Sequence, residues 1–262
     1  MPHYPQLNTG VLAQYPHRKV LLTRTVQNLA MGGNVIKLAD SAGGQTAWDL
    51  HYGGLATAEL AALESLFAAS EGRLGTFTFL DPSGNLLAWS EDFAASAWTK
   101  GPLLQLSGGI SDPVGGTSAF RVTNPGVAAQ SLSQPVAGPG THRYCFSIWA
   151  RSSLAGAVTL RSFTASAGQA EAASVGPVWR RILTSGSVGI NEEPVSFGVE
   201  VAPGTTVDLF GAQVEGQIQP SAYRRTQGFG GVYPKARFDQ DRLDVVTEGD
   251  NEHAVVVRIV SS

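Results

Sequence analysis

The stretch LDPSGNLLAWSEDFAASAWTKGP, residues 80–102, decides how this chain divides. Its Asp-Pro-Ser-Gly run at 81–84 is a turn signal that ends a strand of the preceding segment. Beyond the turn lie two tryptophans, Trp89 and Trp98, and then a Gly/Ser/Thr-rich region of different texture. We therefore interpret the stretch as a domain junction, with a first segment over 1–84 and a second domain beginning at residue 85.

Composition favours a protein built from many short strands. The chain has 262 residues, 43% of them hydrophobic, which is enough to bury a sizeable core. Only 15% of the residues are charged, whereas there are 31 glycines and 14 prolines, so tight turns are expected to outnumber long helices. The net charge of −3 gives no electrostatic reason to expect a nucleic acid partner.

The single cysteine and the N-terminal residues indicate the compartment. Cys145 has no second cysteine for a disulfide, and its apolar surroundings in YCFSIWA indicate a buried thiol rather than a reactive one. MPHYPQLNTG does not resemble a signal peptide, and no apolar run is long enough to span a bilayer. We expect a chain that is made and assembled in a cytoplasm.

Residues 1–84 predict a small β-rich α+β domain with one helix. Three strands, over 20–30, 34–40 and 46–55, are expected to form a meander with turns at Gly32-Gly33 and at Gly43-Gly44. Thr57 is predicted to cap a helix with one apolar face that ends at Gly72. A further strand, RLGTFTFLDP, follows the helix.

Residues 85–225 predict a β-sandwich or jelly roll, because short apolar strands recur about every ten residues and no helical pattern intervenes. The predicted strands cover 119–124, 130–136, 144–152, 157–163, 178–186, 194–201 and 207–216.

Residues 226–262 predict a terminal hairpin that turns at Gly249-Asp250-Asn251. Two strands alone do not make a stable unit, so we expect them to return to the sheet of residues 1–84. The sandwich is then an insertion, which is tolerated because the entropic cost of closing a loop grows slowly with its length.

No arrangement of residues that is typical of an enzyme is present. The adjacent Glu91 and Asp92 would point to opposite faces of a strand, so they cannot flank one glycosidic bond. The histidines lack metal-binding spacing, and we find no nucleophile elbow or phosphate loop. The histidines stand at positions 3, 17, 51, 142 and 253. The aspartates at 239, 241 and 244 are interpreted as a solvated face of a strand rather than as metal ligands. We predict no catalytic residue, no metal site, no cofactor and no enzymatic activity.

The aromatic residues remain as candidate ligand contacts. Tyr144, Phe146 and Trp149 are expected to face the sandwich core together, with Trp179 in the core or at its rim. Trp89 and Trp98 lie in a less regular segment, where an indole could pack into the core or stack on a sugar. These two are the predicted glycan-binding residues.

Four motifs occur in order over about 140 residues of the middle segment: NLLAWSEDFAASAWTK, YCFSIWARSS, VWRRI and FGAQVEGQIQPSAYRRT. Through these motifs the segment resembles the carbohydrate-binding-like jelly rolls of phage tail proteins. The chain departs from the family pattern at residues 217–220 and at Arg151, where the family has lysine. The resemblance implies binding of a host-surface glycan and allows a structural calcium ion.

The flanking segments contain a helix-to-strand element, LESLFAASEGRLGTFTFLDP, and a terminal hairpin, KARFDQDRLDVVTEGDNEHAVVVRIV. Both are similar to elements of a minor tail protein of the distal-tail or tail-tip type from long-tailed phages. The resemblance implies a belt or split-barrel-like domain that forms a ring, usually a hexamer, at the virion tail tip or baseplate. Tail-tube, hub and tail-tip proteins would be its neighbours.

A second interpretation is a carbohydrate-binding accessory protein that is not part of a virion. Such a module is expected beside a catalytic domain, and neither flank looks like one. The split flanking domain therefore favours a structural protein of a phage tail. The predicted fold class is mainly β in both interpretations.

Overall fold

Antiparallel strands make up most of the chain, as its Gly-rich, strand-length segments predict. The computed structural model describes residues 1–153 and 156–261 and gives one helix and sixteen strands within them. The helix α1 spans Thr57–Ala69. The strands are β1 (Arg18–Leu29), β2 (Val35–Leu55), β3 (Phe77–Leu80), β4 (Thr99–Lys100), β5 (Gln105–Ile110), β6 (Ala119–Asn124), β7 (Gln130–Pro139), β8 (Arg143–Arg151), β9 (Gly156–Phe163), β10 (Gly168–Val175), β11 (Arg180–Ser187), β12 (Pro194–Val201), β13 (Thr205–Glu215), β14 (Val232–Phe238), β15 (Val245–Gly249) and β16 (Glu252–Ser261).

The chain separates into two compact units. Unit 1 comprises Met1–Asn8, Ala13–Phe79 and Tyr233–Ser262, and unit 2 comprises Thr9–Leu12 and Leu80–Val232. The sequence predicted the junctions at 84/85 and 225/226, whereas the structure places them at 79/80 and 232/233. The short segment Thr9–Leu12 in unit 2 was not foreseen.

Backbone pairing explains why the two junctions move outward. The Asp81 amide donates to the Gly231 carbonyl at 2.8 Å, and the Gly231 amide donates to the Asn85 carbonyl at 2.7 Å. The turn at 81–84 and the glycine-rich 228–231 therefore pair with each other inside unit 2. The sequence shows where the residue composition changes, but it does not show which backbone amides pair.

Unit 1 is built on one sheet of order β1-β2-β16-β14-β3, with β15 paired to β16. The predicted meander is wrong: β1 and β2 form one long hairpin, and Gly43-Gly44 lies within β2 rather than at a turn. The register shifts between Leu22 and Arg24, and a Cβ on Gly43 would lie 2.7 Å from the Arg24 Cβ. The glycine thus permits the close approach of the strands at this irregularity.

The helix packs its Leu60, Leu63 and Leu66 side into unit 1. Its N-cap is Ala56 and not the predicted Thr57. The Glu59 carboxylate accepts the Ala56 amide at 2.9 Å and the Asn8 amide at 2.7 Å. A side chain three residues into the helix therefore satisfies the first amide, so no hydroxyl cap is needed.

The C-terminal strands return to the first sheet, as predicted. Strand β16 pairs with β2 from His253↔Leu55 to Ser261↔Thr46. The first strand of the predicted hairpin is instead two short strands, β14 and β15, separated by residues 239–244. Both pair with β16, so β16 lies inside the sheet.

Unit 2 is an antiparallel β-sandwich. One sheet has the order β10-β9-β12-β7-β4 and the other β11-β8-β13-β6-β5. One hydrophobic cluster draws side chains from both sheets, and the Phe146 and Phe197 rings meet with centroids 6.0 Å apart. The predicted mainly β class, with a sandwich inserted in a small domain carrying one helix, is confirmed.

We expect Gly198→Ala to lower the free energy of unfolding by about 1–3 kcal/mol, measured by urea denaturation. A Cβ at Gly198 would overlap the Leu132 carbonyl oxygen and lie 2.7 Å from the Ser133 Cα. Both are backbone atoms of a paired strand, which cannot move aside as a flexible side chain can. Gly176→Ala is the matched control, because its Cβ would meet nothing within 4 Å. Equal stability of the two variants would contradict the close strand packing at Gly198.

Candidate functional site

The two tryptophans of the opening stretch have different environments. Trp98 is only 7% exposed and packs edge-on against Phe93 with ring centroids 5.0 Å apart. Its indole N–H donates to the Trp89 carbonyl at 3.0 Å. Trp98 therefore faces the core of unit 2, and its ring is not available to stack on a sugar. The predicted glycan contact is left to Trp89.

Trp89 is 37% exposed and lies beside a small cavity of about 240 Å³. The backbone here is fixed, because the Trp89 amide donates to the Gln227 carbonyl at 2.6 Å. Residue 89 also has a φ of 49°, a left-handed conformation that is uncommon for tryptophan. A partly exposed, fixed indole beside a small depression can present one ring edge to a ligand. The prediction that it binds glycan stays a prediction.

The two acids beside Trp89, Glu91 and Asp92, make contacts within the fold. Glu91 lies 3.1 Å from the Arg225 guanidinium and accepts the Tyr223 hydroxyl at 3.2 Å. Asp92 accepts the Ala94 amide at 3.1 Å in a local turn. Both carboxylates therefore have structural partners, and the prediction that they are not an acid/base pair stays a prediction.

Trp149 does not face the core with Tyr144 and Phe146. Successive strand residues alternate between faces, so Trp149, three positions after Phe146, must point the other way. The indole lies on the outer face of the β8 sheet, where the Arg181 guanidinium stacks on it at 4.6 Å and Tyr223 packs edge-on. The expectation of a shared core face was therefore wrong for Trp149.

Farther along the same outer face, three charged residues form a row across adjacent strands. The register places Asp208 of β13 opposite Arg121 of β6 and opposite Arg151 of β8. Arg121 binds the carboxylate side-on, with Nε 2.8 Å from Oδ1 and Nη2 3.1 Å from Oδ2. Arg151 Nε donates to Oδ2 at 3.2 Å. We call these three residues the arginine row.

The arginine row is held on both sides. The Arg151 guanidinium stacks on the Trp179 ring at 4.6 Å, and its Nη2 donates to the Ser111 carbonyl and hydroxyl at 3.3 and 3.0 Å. The sequence predicted Trp179 in the core or at its rim, whereas the structure places it half-buried against Arg151 on the outer face.

The loop that carries Ser111 is fixed by its neighbour Asp112. Burial works against ionisation of this carboxyl, but amide donors from Ser118, Gly116 and Val114 outweigh it and lower the Asp112 pKa. An ionised Asp112 thus orders the loop and places Ser111 against Arg151.

A cavity of about 590 Å³ lies over the arginine row. Its size falls in the range of small-molecule binding sites. Hydroxyl groups supply the rest of its polar lining, and the Thr123 and Thr206 hydroxyls lie 3.1 Å apart. The residues around it are Arg121, Thr123, Arg151, Ser152, Ser153, Pro177, Thr206 and Asp208.

Sequence reasoning did not find the arginine row. Asp208 is the signal that could have found it, because an aspartate inside the apolar strand TTVDLFGAQV needs a partner. Strand alternation then places Arg121 and Thr123 on one face of β6, and Thr206 and Asp208 on one face of β13. Which strands are neighbours is set by topology, and the sequence does not show it.

In unit 1, the distal half of the β1–β2 hairpin exposes apolar side chains. Leu38, which is 52% exposed, and Ile36 lie on one face, and Leu29, which is 75% exposed, and Val35 lie on the other. Strand β16 pairs with β2 only over residues 46–55. Among the described residues, β1 is the only strand that pairs with residues 35–40 of β2. We call residues 24–40 the hairpin arm.

Other classes of site have little support in the structure. Within residues 1–153 and 156–261, no three His, Cys, Asp or Glu side chains come together as potential metal ligands. The structural calcium ion that the resemblance allows therefore has no cluster of carboxylates in these ranges, and its presence stays a prediction. The lack of enzymatic activity also stays a prediction. In the same ranges, no helix is both long and apolar enough to cross a bilayer.

Comparison with known proteins finds similarity at the level of solved structures. No protein-family model matches the chain. A search of curated proteins likewise gives no match.

Three of the similar structures cover about half of this chain. The enzymatically active domain of the bacteriophage CBA120 tailspike protein 4 has 15% identity and a TM-score of 0.37, over 52% of this chain and 22% of its own. TmCBM61, solved with β-1,4-galactotriose, has 15% identity and a TM-score of 0.39, over 50% of this chain and 97% of its own. The CBM22-1 xylan-binding domain of Paenibacillus barcinonensis Xyn10C has 13% identity and a TM-score of 0.42, over 52% of this chain and 96% of that domain.

At these values the comparisons establish neither ligand nor assembly for this chain. The match also spans less than a quarter of the tailspike domain.

We expect the Cys145 thiol to resist modification in the folded protein. Burial, with a contribution from the nearby Glu215 carboxylate, raises its pKa from 9.0 to about 12. The reactive thiolate is therefore scarce at pH 8, and a disulfide reagent should label the native chain at least tenfold more slowly than the unfolded chain. Equal labelling rates would contradict the burial.

The same shift predicts a pH dependence of stability. The native thiol keeps its proton when the unfolded thiol has lost it, so the stabilisation is full below pH 9 and is lost as the pH rises towards about 12. Cys145→Ser, with a hydroxyl that does not titrate in this range, should show a smaller loss of stability between pH 9 and 11 in urea denaturation.

Proposed function

We propose that this chain is a structural protein of a phage tail tip or baseplate, in which unit 1 self-associates into a ring and unit 2 binds a host-surface glycan. The observation that carries the proposal is the hairpin arm, whose apolar side chains lie exposed on both faces. Proteins rarely expose such surfaces unless a partner covers them.

The arm needs a partner for its own stability. A two-stranded hairpin is marginal in water, and here the paired residues 24–29 and 35–40 have no third strand among the described residues. A second copy of unit 1 would stabilise the arm by covering its exposed apolar faces. The ordering of the arm would then be coupled to assembly.

The geometry of unit 1 suits a ring contact. Its sheet ends in two different strands, β1 and β3. A contact between two different surfaces is heterologous, and such contacts close into rings when the rotation between subunits allows it. Six copies are expected only from the family resemblance.

Self-association can be tested with the full chain by light scattering coupled to size exclusion and by negative-stain micrographs. We expect oligomers with a rotational axis. The variant Leu29→Asp/Leu38→Asp should raise the dissociation constant at least tenfold, because it buries charge on both faces of the arm.

Val127→Asp/Ile190→Asp is the matched control. Both residues are apolar and more than 90% exposed, but they lie in unit 2. The control should assemble as the original chain does. A strictly monomeric protein at high concentration, or an arm variant that assembles as well as the control, would overturn ring formation through the arm.

The second candidate function is a carbohydrate-binding protein outside a virion. The cavity over the arginine row favours this candidate as much as it favours the first, because unit 2 is the same in both. The two differ in whether unit 1 assembles. Immunogold labelling of purified particles would place the chain at the tail tip in the first case and leave the particles unlabelled in the second.

A further inference from the structure

We propose that the arginine row binds the carboxylate of an acidic sugar, such as a uronic acid or a sialic acid residue of a surface polysaccharide. This inference specifies the glycan-binding part of the proposed function and does not depend on ring formation.

The charge of the arginine row sets the sign of its ligand. Two guanidinium groups face one carboxylate, so the row carries a net charge of +1. The Asp208 side chain is only 7% exposed and is already engaged by both arginines. The negative charge of Asp208 is therefore already neutralised within the row, and the remaining positive charge favours an anion.

Donor groups remain for that anion. Within the described part of the chain, the Nη1 atoms of Arg121 and Arg151 have no hydrogen-bond partner. The Arg121 side chain is 51% exposed, so a ligand can reach it from solvent. A planar guanidinium matches the two oxygens of a carboxylate, which favours a carboxylate over a neutral hydroxyl group.

Preorganisation distinguishes the row from a mobile surface charge. Arg151 is fixed by Asp208, by the Trp179 ring and by Ser111, and the Asp112 loop holds Ser111 in turn. Little side-chain entropy is left to lose when the ligand binds. A fixed cation in the lining of the cavity can therefore orient an incoming carboxylate.

The hydroxyl lining indicates that the anion belongs to a sugar. Thr123 and Thr206 form the cross-strand pair next to Arg121 and Asp208 on β6 and β13. Hydroxyls both donate to and accept from sugar hydroxyls. A free phosphate would fill only a small part of a 590 Å³ cavity, whereas a saccharide would contact the arginines and the hydroxyl groups together.

The test compares charged and uncharged forms of the same sugars against the full chain by titration calorimetry. One pair is tetragalacturonate and its methyl ester, and the other is sialyllactose and lactose. We expect at least one charged form to bind tenfold or more tightly than its uncharged counterpart, and the affinity to fall as salt rises. Inorganic phosphate is a third arm and should not compete at equal concentration.

Variants link the binding to the arginine row. Arg121→Gln should weaken binding of the charged sugar at least tenfold and still leave Arg151 to pair with Asp208, so the fold is preserved. Arg121→Lys keeps the charge but loses the planar fork, and it should recover only part of the affinity. Thermal melting by circular dichroism verifies folding.

Arg161→Gln is the matched control, because Arg161 pairs with Glu200 in the other sheet at 2.7 Å and its side chain is partly exposed. It should bind within twofold of the original chain. Equal binding of charged and uncharged sugars, equal loss in the Arg161 control, full competition by phosphate, or no binding of any probe would each overturn the inference. Ring formation, measured on the same samples, would stand or fail separately.

Discussion

Two backbone hydrogen bonds at the ends of the insertion constrain the rest of the chain. The Asp81 amide donates to the Gly231 carbonyl and the Gly231 amide donates to the Asn85 carbonyl, so residues 150 positions apart in sequence lie side by side. The sheet of unit 1 includes β3 before the insertion and β14 after it, and it can form only if those ends stay close. A folded insert with adjacent ends meets this condition at a low entropic cost.

Asn85 ties that junction to the sandwich. Its side-chain amide donates to the Ala212 carbonyl at 2.9 Å, and its side-chain oxygen accepts the Val214 amide at 3.0 Å. Because both partners lie in β13, the first residue after the turn is joined to the strand that also carries Asp208. Closing the insertion and positioning the arginine row thus depend on the same strand.

Local sequence patterns predicted what depends on local physics. Strands such as β6 and β12 could be read from alternation, and their bounds agree with the structure to the residue. Strand β10, GQAEAASV, was missed because an alanine-rich, mostly exposed strand has no apolar alternation. The meander failed because Gly43-Gly44 resembles a turn, whereas a bulge against Arg24 uses the glycine for close approach.

The candidate site was less predictable than the fold for a physical reason. Trp98 was selected by residue type, but its orientation depends on Phe93 and on the Trp89 carbonyl. The arginine row depends on the pairing of three strands that are far apart in sequence. An isolated Arg121 reads as a solvated charge, and only its neighbours across the sheet make it part of a site.

The two proposals together explain how the cavity over the arginine row could serve in attachment. A half-exposed guanidinium and a few hydroxyls support only weak binding of one sugar unit, because much of each group stays in contact with water. In a ring, each subunit would present one arginine row to a polysaccharide that repeats its acidic unit. After the first contact, the others become intramolecular and occur at a high effective concentration, so avidity exceeds the single-site affinity by orders of magnitude. Weak, salt-sensitive single sites would then also allow a particle to release and rebind as it moves over a charged surface.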